Sequence, residues 1–99
     1  MKKTFDLTKP KIKLARQVEA VKHDVKKYVK RERRKKLPEG VDFWDFNCKF
    51  GDTEEDAEAA HLSDLNKHID DAERRQLTSF YIEILAKKGR RRKKPKKQE

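Results

Sequence analysis

Between residues 12 and 35 the apolar side chains return every three or four positions: Leu14, Val18, Val21, Val25 and Tyr28, with Val29 alongside. At about 100° per residue they fall within a stripe about 100° wide, which is the pattern of a helix that buries one face. No other stretch restricts the folding of this chain so tightly. Opposite the stripe stand Arg16, His23, Lys27, Lys30 and Arg34. The segment closes with Lys30-Arg31-Glu32-Arg33-Arg34-Lys35-Lys36, and the negative end of a helix dipole favours such cations. Leu37-Pro38-Glu39-Gly40 supplies the stop.

Alternating segments flank this helix. Residues 2–7 set Lys3, Phe5 and Leu7 on one side and Lys2, Thr4 and Asp6 on the other, a short strand ended by Thr8-Lys9-Pro10. Residues 41–50 set Trp44, Phe46, Cys48 and Phe50 on one face, with Val41, Phe43, Asp45, Asn47 and Lys49 on the other. Gly51-Asp52-Thr53 then turns the chain.

Residues 54–62 admit two readings. Thr53 would cap a long helix reaching Arg75, or a short strand over 58–62 would precede a helix over 64–75 capped by Ser63. The long helix would set Glu58 in the stripe of Leu65, Ile69 and Ala72, so the strand is preferred. Its inward residues would be Ala60 and Leu62. Phe80, Ile82, Ile84 and Ala86 alternate with Tyr81, Glu83, Leu85 and Lys87 in a last strand ended by Gly89. The order β-α-β-β-α-β predicts an α+β, ferredoxin-like split βαββαβ two-layer sandwich, with both helices on one face of an antiparallel sheet. Without the third strand the fallback is a three-stranded βαβαβ arrangement. In the four-stranded sandwich Phe43, Tyr81 and Leu85 would lie on the open face.

Charge narrows the function. The chain carries 28 Lys and Arg against 18 Asp and Glu, a net charge of +10. Residues 1–37 hold 15 basic and 4 acidic groups, residues 38–79 hold 4 and 12, and residues 80–99 hold 9 and 2. The acidic middle is expected to neutralise part of the positive charge, leaving the rest on the first helix and the tail. Residues 1–89 are read as one domain. Residues 90–99, with no apolar side chain, are read as a disordered basic tail. No run approaches the roughly 18 apolar residues of a membrane helix, and the opening Met1-Lys2-Lys3-Thr4-Phe5-Asp6 carries no apolar signal segment. One cysteine, Cys48, forms no internal disulfide and suits the cytoplasm.

The residues that carry chemistry elsewhere are sparse here. His23, His61, His68 and Cys48 show no paired metal spacing. Gly40, Gly51 and Gly89 are too far apart to form a phosphate-cradling loop. Cys48 shares its face with Trp44 and Phe46, as a buried inert thiol would. No catalytic residue, cofactor site, metal site or small-molecule substrate is therefore expected. The candidate contacts are Arg16, Lys27, Lys30 and Arg34, joined by Arg31, Arg33 and Lys35 at the helix end and by Arg90, Arg91 and Arg92 of the tail. A cationic ridge of this kind tracks phosphates by releasing their counterions. The leading expectation is a non-enzymatic nucleic-acid-binding accessory protein that meets RNA or the ribosome rather than DNA. The alternative is an interaction module that docks on an acidic protein partner or dimerises through its open sheet face. Asp6, Asp45 and Glu83 share that face and argue against stacking bases there.

Several stretches also carry a resemblance. Leu37-Pro38-Glu39-Gly40-Val41-Asp42-Phe43-Trp44-Asp45-Phe46 and Cys48-Lys49-Phe50-Gly51 are the most specific of them. Together with Ala15-Arg16-Gln17-Val18-Glu19-Ala20-Val21 and Phe80-Tyr81-Ile82-Glu83-Ile84-Leu85-Ala86-Lys87, they resemble a small family of uncharacterised bacterial proteins of similar length. The resemblance implies a bacterial, cytoplasmic origin and assigns no activity or site residue.

Overall fold

The computed structural model describes residues 1–90. The basic tail expected over 90–99 therefore lies, apart from Arg90, outside the described residues. The elements are β1 (Lys2–Asp6), α1 (Leu14–Arg33), β2 (Phe43–Gly51), β3 (Glu58–Ala60), a single 3-10 turn (Leu62–Asp64), α2 (Leu65–Arg74) and β4 (Ser79–Gly89). This is an α+β fold with a four-stranded, wholly antiparallel sheet and two helices.

The sheet runs β1-β4-β2-β3. The element order is the expected one, but β1 and β3 form the edges, whereas a ferredoxin-like sheet keeps its first and third strands inside. The burial pattern explains the choice. β4 is the longest strand at 11 residues, and Phe80, Tyr81, Ile82 and Ile84 are buried in succession on both its faces. A strand apolar on both sides belongs in the middle. β1 and β3, with 5 and 3 residues, are short enough for edges.

One sheet face carries the core. Phe5 pairs with Phe80, Cys48 with Ile84 and Phe50 with Ile82, all on the same side. Val18, Val21, Val25 and Val29 of α1 and Leu65, Ile69 and Ala72 of α2 join them in one buried cluster. Each fully buried aliphatic side chain contributes about 1.5–3 kcal/mol, so both helices are held down by their stripes. Gln17 closes the first turn of α1: its amide donates to the Ile12 carbonyl at 2.8 Å while its oxygen accepts from the Lys9 amide at 3.1 Å.

Four readings need correction. The third strand stops at Ala60, and Leu62 enters the 3-10 turn instead of extending it. Ser63 does not cap α2: the helix is entered through that turn, with no side-chain cap. Thr53 caps no long helix either. Its hydroxyl accepts from the Asp56 amide at 3.2 Å and donates to the Asp56 carboxylate at 3.1 Å, folding residues 53–56 into a local turn. Finally, Tyr81 is not an exposed member of the open face. Only 3% of it is accessible, because the central position of β4 sets it between Thr4 and Gly51. The turn after β2 packs back onto Gly51, where a Cβ would meet the Ala57 backbone at 2.5 Å. The Tyr81 hydroxyl donates to Glu83 at 2.9 Å. Burial, that hydrogen bond and the charges of Glu83 and Glu54 push its pKa up to about 12.

Candidate nucleic-acid interface

The cations from Lys27 onward occupy one end of the molecule, whereas Arg16, in the first turn of α1, lies about 16 Å from Lys27 along the helix and stands apart from them. Trp44, near the start of β2, donates its indole N–H to the Lys35 carbonyl at 2.9 Å, fixing the end of α1 over that edge. The carboxylates Asp52, Glu54, Glu55, Asp56 and Glu58 follow the other end of β2. At about 3.3 Å per residue, the seven steps from Trp44 to Gly51 separate the two regions by roughly 23 Å.

This separation decides which cations are paired. The acidic middle is used locally. Asp52 and Asp71 hold Arg75, at 3.1 Å and 2.8 Å. Asp71 also binds Arg74, and Asp64 lies 4.0 Å from Lys67. Among the described residues its ion pair with α1 is made by Asp70, which binds Lys22 and, with the charges of Glu19 and Glu73, holds that ammonium above its usual pKa. Among the described residues, Arg16, Lys27, Lys30, Arg33, Arg34 and Arg90 have no carboxylate within ion-pair distance. All of them are exposed.

Arg31 and Lys35 depart from the expected pattern. Glu32 sits 3.9 Å from the Arg31 guanidinium and 3.0 Å from the Lys35 ammonium. It is buried, and a buried carboxylate needs such partners. Sequence reasoning missed it because the stripe was traced through apolar residues alone. Glu32 stands seven residues beyond Val25, two turns along the same face.

Two of these arginines are also steered by rings. Arg31 lies over Tyr28 at 5.4 Å and Arg33 over Phe46 at 5.6 Å, contacts that orient a guanidinium without neutralising it. Arg90 approaches Gly40, whose φ of +80° forms the turn before β2. Arg91 and Arg92 lie outside the described residues.

The ridge of Lys27, Lys30 and Arg34 is bordered by two shallow grooves. One, of about 580 Å³, runs between α1 and β1 and includes Lys3 and Arg31. The other, of about 860 Å³, runs between α1 and α2 and includes Lys26 and Arg33. Together they flank the C-terminal half of α1 with mostly cationic charged groups, interrupted by Asp24 in the first groove and Glu19 in the second.

The remaining candidates stay apart from it. Phe43 and Leu85 are exposed on the open sheet face, 36% and 40% accessible, beside a cross-strand pair of Asp45 and Lys87. Cys48 is buried, and desolvation followed by the Asp45 charge pushes its thiol pKa up. Among the described residues no His, Cys, Asp and Glu cluster is placed to hold a metal ion, and no helix is long and apolar enough to cross a membrane. No curated protein and no solved structure matches the chain. A family of unknown function, DUF6172, matches residues 1–95, and the chain belongs to that family.

Proposed function

We propose that this protein is a non-enzymatic accessory protein of the bacterial cytoplasm. It binds RNA, free or in the ribosome, through phosphates held by the exposed face of α1. The observation that supports this reading is the set of exposed cations Arg16, Lys27, Lys30, Arg33 and Arg34 left without carboxylate partners among the described residues, although an acidic segment is present in the same chain. Unpaired cations have no internal ion pair to break before they meet a phosphate. Their contacts release counterions, which makes binding steeply salt-dependent. Phosphate contacts position a partner without reading its sequence, so affinity should follow charge density and shape.

The test is a comparison of charge reversals. The Lys27→Glu/Lys30→Glu/Arg34→Glu variant is titrated with a 16-base-pair RNA duplex, single-stranded RNA and duplex DNA in 50 mM salt, beside a Lys67→Glu/Arg74→Glu variant of α2. Binding should be strongly weakened in the first, yet still measurable at low salt, and preserved in the second. Equal effects would refute a role for α1, and stronger binding to DNA would refute the choice of RNA.

A further inference from the structure

β1 is an edge strand, and among the described residues only its β4 side is paired. Met1 exchanges hydrogen bonds with Ile84, and the Leu7 amide donates to the Thr78 carbonyl. In an antiparallel pair, main-chain groups alternate between the partner and the outside. The N–H and C=O groups of Lys2, Thr4 and Asp6 therefore point away from β4. The side chains that alternate with them, Lys3 and Phe5, line the groove beneath α1.

Three features limit what fits this edge. Its outward groups alternate donor and acceptor with a repeat of about 6.6 Å. That row complements another polypeptide strand, whereas its carbonyls would repel a row of phosphates. Its overhanging side chains are Lys3, Lys27, Lys30, Arg31 and Arg34, against the single carboxylate Asp24. A second copy of β1 would bring its own Lys3 and Phe5 into this groove and no carboxylate, since its Asp6 lies on the other face of the strand, so a second copy meets repulsion there.

We propose that the β1 edge accepts an extended acidic polypeptide segment as a fifth strand. Its main chain pairs with Lys2, Thr4 and Asp6, and its alternate carboxylates enter the cationic groove under α1. Main-chain pairing supplies affinity and the groove supplies selectivity for acidic side chains, as in strand addition generally. This goes beyond the RNA reading. Because Lys27, Lys30 and Arg34 are shared, RNA and the acidic segment would compete.

The test uses the full chain and an octapeptide alternating Glu and Thr, with its Lys/Thr counterpart as control. Amide hydrogen exchange is followed in the native protein, and binding is repeated with Thr4→Pro. Proline removes an outward donor that β4 does not use, and edge strands tolerate it. The acidic peptide should bind, the basic one should not, and the Thr4 amide should exchange fast alone and slowly in the complex. Thr4→Pro should weaken the peptide about tenfold or more, equivalent to about 1.4 kcal/mol, and leave RNA affinity unchanged. Absence of peptide binding at low salt, equal binding by Thr4→Pro, or an unprotected Thr4 amide at saturation would overturn the proposal. So would protection of that amide by RNA. Failure of the RNA reading would appear separately, in the α1 charge-reversal variant. Because the exchange measurement needs no substitution, the proposal stays testable if Thr4→Pro does not fold.

Discussion

The two helices cover the same sheet face and carry cations near their ends, yet their charges meet opposite fates. In α2, Lys67, Arg74 and Arg75 each have a carboxylate three or four residues earlier, and each is paired with it. In α1, the residues three and four away from Lys30, Arg33 and Arg34 include no Asp or Glu on either side. They are mostly Lys and Arg, and like charges at these spacings repel. In α2 pairing thus follows helical spacing, whereas in α1 Lys27 and Arg16 stay unpaired although Asp24 and Glu19 stand three residues away. α2 spends its cations on its own stability, and α1 keeps them exposed at some cost to its own. The helix dipole offsets part of that cost, because these cations sit at the C-terminal end.

The comparison breaks most visibly if α1 is given the spacing of α2. Lys26→Glu with Arg31→Glu places carboxylates within reach of Lys27, Lys30 and Arg34 without removing any of the three. RNA affinity should fall about tenfold or more, roughly 1.4 kcal/mol, as measured by titration at low salt. The reverse change is smaller. Glu32→Gln keeps the shape of the buried side chain but releases Arg31 and Lys35, so affinity should rise about threefold and the salt slope should steepen by about 1. Lys30→Glu should separate stability from binding. It creates favourable pairs with Lys26 and Arg34 worth about 0.3–0.5 kcal/mol each, so the melting temperature in low salt should rise while RNA binding weakens.

Acid supplies the smallest and cleanest contrast. Hydrogen bonding to Arg74, and then to Arg75, holds the Asp71 carboxyl below its usual value of 3.8. A lowered folded-state pKa contributes stability above the ordinary carboxylate range and loses it as pH falls below about 4. Asp71→Asn should therefore lower the melting temperature at pH 7 and lower it less at pH 3. Lys30→Ala, with no carboxylate partner to titrate, should give the same shift at both pH values.

The parts of this molecule legible in the sequence are those set by local period. The valines of α1 announce the helix and its buried face, and the alternation of residues 43–50 announces β2. Helical spacing accounts for the lack of carboxylate neighbours at Lys30, Arg33 and Arg34, but not for Lys27, which has Asp24 three residues earlier. What was not legible depends on contacts between elements. Strand order is not encoded in any one strand, so the position of β4 between β1 and β2, and with it the burial of Tyr81, could not be read from alternation. The end of β3 was obscured because Ala59 and Ala60 favour no strand strongly. Glu32 was hidden by chemistry instead: a charged residue in an apolar stripe is read as exposed until its partners, Arg31 and Lys35, are seen around it.

The most direct measurement is the RNA affinity of the full chain as a function of salt between 50 and 200 mM. If five unpaired cations meet five phosphates, log K should fall against log salt with a slope of about −3.5 to −4.5, at 0.7–0.9 per contact. The Lys27→Glu/Lys30→Glu/Arg34→Glu variant should flatten it by about 2–3. A slope near zero, or one that the variant leaves unchanged, would contradict the claim that the unpaired cations of α1 form the binding surface.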